Sequence, residues 1–340
     1  MNILPPNPSS EPLRATWQKM VAPYQYPDLK RSLRQLANTL LPYLGLWLLM
    51  VFSLHISYAL TLLLMVPAAG FLVRLFIIFH DCGHGSFFKS RSANRWVGFF
   101  LGVLSFTPSE SWWHDHAVHH ATTGNLDKRG TGDVPTMTVE EFRHATPWQR
   151  LSYRVFRHPI VLFGIGPLVS FLIAPRFIYA KTGRAERLSV LYTNLALLAI
   201  FAGMSLLIGW REYLLIQLPV MWLAGAGGIW MFYMQHQYEN AYWVHATQWD
   251  YAHAALDGAS YYRLPRVLQF FSGNIGFHHI HHLSPRIPNY FLEQCFRDNP
   301  ELHAVPTLSL RSSLKSLALR LWDEQSQRMV GFRALKQHSR

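Results

Sequence analysis

Three short clusters of histidine are the feature that most constrains how this chain can fold. They are HDCGH at residues 80–84, HAVHH at 116–120 and HHIHH at 278–282. On a helix, residues three and four positions apart share a face, so each cluster can direct its imidazoles toward one point. Neutral imidazole is a common transition-metal ligand, and the eight imidazoles at these spacings exceed what one ion needs. The clusters therefore predict a metal centre with more than one ion.

The composition is that of a membrane protein with substantial polar parts. Half of the 340 residues are hydrophobic, 14% are aromatic and only 15% are charged. The net charge of +12 gathers beside apolar runs, where it is expected to face anionic lipid head groups. A nucleic-acid-binding protein would carry this charge on a soluble domain with a recognisable binding motif. The sequence therefore predicts membrane lipid as a partner and excludes nucleic acid.

Four apolar runs approach the roughly 20 residues that a spanning helix needs. They are residues 40–56, 58–79, 188–209 and 213–235. Short connections, the second at residues 210–212, join them in pairs, so each pair is expected to form a hairpin. Basic residues flank the open ends, which predicts that both termini and the metal centre lie on the cytoplasmic side of a bacterial-type inner membrane. The chain has no early apolar core, so no cleavable signal peptide is expected.

A further apolar run at residues 159–178 lies between the second and third clusters. These clusters can share one site only if they lie on the same side of the membrane. The chain must therefore cross the membrane an even number of times between them. The run carries Gly164, Gly166, Pro167 and Pro175 and leads into a basic stretch at 176–187. We therefore predict that it is interfacial or re-entrant, as we do for the shorter run at 96–106.

The predicted domains are a cytoplasmic N-terminal segment (1–35), one membrane domain (36–335) and a short tail (336–340). Leucines at helical spacing between residues 310 and 321, with basic residues among them, predict an amphipathic helix on the membrane surface or on a cytoplasmic cap. The predicted fold class is an all-α integral membrane protein. It has two transmembrane hairpins, interfacial helices and a cytoplasmic cap that holds the metal centre.

The order of the clusters, with their gaps and hairpins, resembles the membrane fatty acid desaturases over about residues 40–335. The surrounding segments are similar to acyl-lipid desaturases of the omega-6 type: HDCGHGSFF, SWWHDHAVHHATTGNLD and GNIGFHHIHHLSPRIPNY. The resemblance implies an enzyme that uses a di-iron centre and O2 to introduce a cis double bond into a fatty acyl lipid. No HPGG-type haem motif or ferredoxin-like cysteine set is present, so a separate ferredoxin or cytochrome b5 type donor is implied.

The resemblance also implies the iron ligands. Eight fall on the clusters: His80, His84, His116, His119, His120, His278, His281 and His282. The family usually has one more histidine after the last spanning helix. The segment MQHQYENAYWVHATQWDY makes His236 the preferred ninth ligand, with His245 and His253 as alternatives.

Polar groups that orient metal-bound imidazoles are expected close to the ligands. The candidates are Asp81, Asp115, Asp250 and Asn274, although a turn or cap role is the alternative for Asn274. Nearby aromatic residues are candidates for the mouth of an acyl tunnel or for a membrane-interface belt: Phe87, Phe88, Trp112, Trp113 and Phe277.

Two other functions compete with desaturation. A di-iron hydroxylase or ketolase of the same superfamily would share the ligands and differ only in its product. A metal transporter would place ionisable residues within its spanning helices, whereas Arg74 is nearly alone there. The sequence leaves open the position of the double bond, the acyl chain length, the lipid carrier, the donor and the oligomeric state.

Overall fold

Helices make up most of the chain in a computed structural model that describes residues 11–179 and 182–336. The α-helices are α1 (Glu11–Val21), α2 (Leu29–Leu54), α3 (Tyr58–Gly83), α4 (Arg91–Leu104), α5 (Ser109–Thr122), α6 (Val139–His144), α7 (Pro147–Phe156), α8 (Arg184–Ile208), α9 (Trp210–His236), α10 (Tyr251–Leu256), α11 (Arg266–Phe271), α12 (His278–Leu283), α13 (Asn289–Asp298) and α14 (Leu310–Ser316). Five short strands, which the sequence did not predict, are β1 (Met137–Thr138), β2 (Tyr261–Arg263), β3 (Thr307–Ser309), β4 (Leu321–Asp323) and β5 (Arg328–Val330). Most of the predicted tail, residues 337–340, lies outside the described residues.

Within the described residues, α2, α3, α8 and α9 are long and apolar enough to cross a membrane. They confirm the four predicted spans. The helices also extend past the apolar runs, because hydrophobicity predicts only the part that lies in hydrocarbon. Helix α2 begins seven residues before position 36, where the Asp28 side chain accepts a hydrogen bond from the backbone N–H of Arg31. The predicted domain boundary at 35–36 therefore falls inside α2, and the domain division stays a prediction.

Each hairpin has a tight turn. The first consists of His55–Ser57 and is longer than the single residue left between the predicted spans 40–56 and 58–79. The second is shorter than the predicted 210–212, because Gly209 alone separates α8 from α9 at a φ of 95°. Glycine adopts positive φ without steric penalty, so one residue suffices for the reversal.

Helices α3 and α9 form the centre of the bundle. Leu72, Leu75 and Phe79 of α3 share one buried core with Val220 and Met221 of α9. Because α3 ends in the first histidine cluster and α9 ends at His236, the packing of the two helices determines how close these histidines lie.

The run at 159–178 forms a bent helical segment. It contains two π-helical stretches, Val161–Ile165 and Leu168–Ile173, and makes an angle of 61° with α7. The indole N–H of Trp222 on α9 donates to the carbonyl of Gly164 at 2.8 Å, which attaches the segment to the bundle. A break of this kind occurs in a broken span or a re-entrant loop, so its re-entrant role stays a prediction.

The cap contains two small sheets. Strand β4 pairs in parallel with β1 and antiparallel with β5, and β2 pairs in parallel with β3. The predicted amphipathic helix over residues 310–321 is wrong in its second half, because α14 ends at Ser316 and Leu321 begins β4. The strand pairing satisfies backbone groups there, and the leucine spacing alone could not reveal it.

Candidate metal centre

Two of the clusters lie at helix ends in the bundle. His80 is in the last turn of α3, and His84 follows the end of that helix. The second cluster occupies the C-terminal half of α5, where His119 and His120 are buried. The third cluster forms the short helix α12, which begins at His278 and is buried throughout. Helical geometry is therefore present at each cluster, as the spacing predicted.

The structure divides nine imidazoles into two adjoining groups. In each group the candidate ligand atoms lie within 4.8 Å of one another. The first group comprises His80, His84, His116, His120 and His281. The second comprises His119, His236, His278 and His282. All eight cluster histidines and His236 are thus brought together, and the rings of His120 and His282 connect the groups with centroids 4.2 Å apart.

Each HxxHH cluster contributes to both groups. In the second cluster His116 and His120 belong to the first group, whereas His119 belongs to the second. The third cluster does the reverse, since His281 joins the first group. Successive helical residues are rotated by about 100°, so adjacent histidines diverge while residues four apart stay aligned. One short motif can therefore serve two neighbouring metal positions.

Nε2 atoms converge at the centre of each group. In the first, Nε2 of His281 lies 3.0 Å from Nε2 of both His80 and His120. In the second, Nε2 of His278 lies 2.9 Å from that of His236 and 3.1 Å from that of His282. One Nε2 carries at most one proton and cannot satisfy two such neighbours that are also acceptors.

Three imidazoles are oriented by groups that accept hydrogen bonds. Nδ1 of His80 lies 3.0 Å from the carboxylate of Asp81, and Nδ1 of His119 lies 2.7 Å from that of Asp133. Nδ1 of His236 lies 3.0 Å from the carbonyl of Gly258. A carbonyl or ionised carboxylate can only accept, so the proton of the neutral imidazole lies on Nδ1. Nε2 is then unprotonated and has a free lone pair. Several lone pairs directed at one point are the donor set of a metal cation, so these residues fit a metal in each group.

The environment keeps the imidazoles neutral. Burial, reinforced by neighbouring imidazoles, lowers the pKa well below the ordinary value for six of them outside the spanning helices: His84, His116, His120, His278, His281 and His282. A neutral imidazole is the form that binds a metal.

The polar groups around the two imidazole groups differ in part from the predicted ones. Asp81 bonds His80 as expected, and its second oxygen accepts from the backbone and side-chain N–H groups of Asn289 at 2.7 and 2.8 Å. Asp133 was not predicted. It lies in an exposed polar loop fourteen residues after His119, a separation that carries no helical signal.

The other three candidates have different roles, and no hydrogen bond joins them to either group among the described residues. Asp115 is exposed on α5. The carboxylate of Asp250 accepts from the backbone N–H of His253 at 2.9 Å and caps α10. Asn274 has a φ of 61° in a turn and donates to the carbonyl of Asn289. Turn and cap chemistry accounts for Asp250 and Asn274.

The two alternative ninth ligands lie outside both groups. His245 is exposed between Asp127 and Glu324, which raise its pKa through hydrogen bonds. His253 pairs with Asp257 at 2.8 Å. His236 alone among the three reaches a group, because α9 carries it to the depth of His278.

A cavity of about 250 Å³ leads from the bundle to both groups. His80 and His116 of the first group and His278 of the second form part of its wall. The remaining wall is mostly apolar, and includes Phe76 on α3 and Met221 on α9. Such a cavity suits a long apolar ligand.

Of the five predicted tunnel aromatics, only Trp112 lines this cavity in the described part of the chain. Trp113 instead packs where Gly98 leaves room and donates to the carbonyl of Phe79 at 3.2 Å. Phe277 stacks on Tyr261. The sequence could not separate these roles, because aromatic residues also fill cores and interfaces.

Comparisons with known proteins agree with this arrangement. A family model described as "Fatty acid desaturase" matches residues 55–309. A "Fatty acid desaturase" of Bacillus subtilis (strain 168) is 49% identical over 318 residues, covering 94% of this chain and 90% of that protein. The "sn-1 acyl-lipid omega-3 desaturase (ferredoxin)" of Synechocystis sp. is 28% identical over 236 residues, covering 65% and 62%. The chloroplastic "Omega-6 fatty acid desaturase" of Arabidopsis thaliana is 27% identical, covering 64% and 48%. The chain therefore belongs to the fatty acid desaturase family and is an oxidoreductase of that family.

Proposed function

We propose that the chain introduces a cis double bond into the acyl chain of a membrane lipid. The observation that carries the proposal is the junction of two imidazole groups with one apolar cavity. In the overall reaction, two hydrogens of adjacent methylenes, two electrons and two protons reduce O2 to two waters. Both groups adjoin the cavity wall, so a chain inside it would lie beside both.

Two iron ions are the proposed cofactor, held by the five and four histidines of the two groups. Imidazole favours iron, copper, nickel or zinc over magnesium and calcium. When bound, iron supplies the dioxygen chemistry that removing hydrogen from an unactivated methylene requires, which zinc does not. Asp81, Asp133 and the carbonyl of Gly258 keep three Nε2 atoms free for these ions.

The cavity holds and positions the substrate in this proposal. Its wall excludes water and keeps an acyl chain at a fixed depth beside the imidazoles, so the same methylenes react each time. An acyl lipid as substrate is supported by the position of the cavity between spanning helices and by the name of the Synechocystis relative, an acyl-lipid desaturase.

A separate protein is proposed as the electron donor, of the ferredoxin or cytochrome b5 type. The Synechocystis relative carries "ferredoxin" in its name. We further propose that the metal centre and both termini face the cytoplasm of a bacterial inner membrane, because basic residues flank the open ends of both hairpins.

Expression in a bacterial host whose lipids contain only saturated chains tests the function. We expect new unsaturated fatty acids by mass spectrometry and about two irons per purified chain by elemental analysis. His119→Ala should abolish the product. The matched control is His114→Ala on the same helix, since His114 is exposed beside Glu186 and should leave the product unchanged.

Other products would contradict the proposal. Hydroxylated or keto fatty acids would indicate the related hydroxylase or ketolase, and bound zinc without lipid change would exclude both enzymes. Cysteine labelling tests the orientation separately, because labelling of residues 182–187 only from outside the cell would reverse the proposed topology.

A further inference from the structure

Gly228 stands out among the glycines of the cavity wall. It lies on α9, eight residues before His236. A Cβ placed on it would meet no heavy atom within 4 Å, so the space beside its backbone is open. This opening belongs to the cavity that reaches the two imidazole groups.

Its neighbour Gly225 lines the same cavity for a different reason. A Cβ there would lie 3.0 Å from both Phe171 and Pro167 of the bent segment. Gly225 therefore permits close packing of that segment on α9, whereas a Cβ at Gly228 would meet no such neighbour within 4 Å. A larger side chain at Gly228 would project into the cavity without displacing a helix.

The depth of Gly228 follows from helix geometry. Helices α3 and α9 both reach the centre with their C-terminal ends, and Leu72 lies eight residues before His80 just as Gly228 lies eight before His236. At 1.5 Å per residue, both lie about 12 Å below the imidazoles. Met221 lies about 22 Å below on the same scale. The part of the cavity toward Met221 therefore lies beyond Gly228.

We propose that Gly228 determines how long an acyl chain the enzyme accepts on the methyl side of the new double bond. The inference rests on the proposed desaturation. The methyl end is the part that enters, because burying a polar head in a mostly apolar cavity would leave its polar groups unsatisfied. The absent side chain at Gly228 keeps the passage to the Met221 end open. A bulky residue there closes that passage and excludes longer chains.

The test is a graded series, Gly228→Ala, Gly228→Val and Gly228→Leu, in a host with saturated chains of several lengths. We expect the ratio of long to short unsaturated products to fall stepwise, by about tenfold or more for Leu, since one methylene in a pocket changes discrimination by about 10- to 200-fold. Gly203→Leu is the matched control. Gly203 also has open space around it, but it lies on α8 outside the cavity wall.

The outcomes are separable. Wild-type protein without unsaturated product would overturn the proposed function itself. Active wild-type protein with the same product lengths in the Gly228 and Gly203 variants would overturn only the role of Gly228. If the Leu variant does not accumulate in the membrane, the Ala and Val variants decide. Alanine has a higher helix propensity than glycine and adds a single carbon, so the Ala variant is expected to fold. An unchanged ratio in both would then refute the inference.

Discussion

Two carboxylates of different origin hold imidazoles at the centre. Asp81 follows His80 directly in sequence and bonds its imidazole. It also accepts two hydrogen bonds from Asn289, the first residue of α13. Asp133 comes from a loop and bonds only His119 among the described residues. Each carboxylate keeps the proton on Nδ1, so each determines which nitrogen faces the centre.

Removing the Asp133 carboxylate should weaken metal binding. We expect Asp133→Ala to lower iron affinity by about 10- to 100-fold, because the His119 imidazole loses its orienting acceptor. Asp133→Asn keeps an acceptor for Nδ1–H and should recover part of the loss. Chelator competition on purified protein measures the affinity. Asp127→Ala is the control, since Asp127 lies in the same loop and bonds His245 instead. Equal affinities for all variants would exclude the orienting role.

At the scale of elements, Trp113 joins three helices. It belongs to α5, its N–H donates to Phe79 of α3, and its ring fills the space beside Gly83 and Gly98, the latter on α4. This packing holds the second cluster against the first. Helix α4 has 14 residues and is too short to span a membrane. It is held in the fold by its contacts with α3 and α5.

A side chain at position 98 should separate these helices. A Cβ on Gly98 would overlap the Trp113 ring, so we expect Gly98→Ala to lower the free energy of unfolding by about 1–3 kcal/mol. Gly45→Ala on α2 is the control, because no heavy atom lies within 4 Å of its added Cβ. Thermal unfolding in detergent compares the two. A Gly98 variant as stable as the Gly45 variant would show that the Trp113 contact is adaptable.

At the scale of the whole molecule, the candidate metal centre is where distant parts of the chain meet. The nine imidazoles come from the ends of α3 and α9, from α5 and from α12. Both hairpins and the cap are therefore connected through one site. Metal bound there would stabilise the folded protein, because the unfolded chain does not hold the imidazoles together.

Removing metal should therefore lower the Tm. At free iron about a hundredfold above the dissociation constant, binding contributes about 2.7 kcal/mol to stability, and a chelator should remove that contribution. Thermal unfolding with chelator, and after iron is restored, measures the effect. The double variant His119→Ala/His281→Ala loses one imidazole from each group, so its Tm should respond little to the chelator. An identical Tm for wild-type protein with and without metal would contradict this expectation.

The sequence by itself determined the features that depend on short separations. Hydrophobic length identified the four spanning helices, and the spacing of three and four residues identified the cluster histidines. The sequence could also predict Asp81 as a partner of His80, because the two residues are adjacent. These signals are local, since they arise from the rise and rotation of one helix.

The tertiary structure decided which of these residues come together in each imidazole group. Only the packing of α3, α5, α9 and α12 divides each HxxHH cluster between two groups and brings His236, and not His245 or His253, to the second. It also brings Asp133 from its loop to His119 and separates the open Gly228 from the packed Gly225. Helical periodicity states the direction in which a side chain leaves its helix. What lies in that direction depends on contacts between residues far apart in the chain, which no local pattern records.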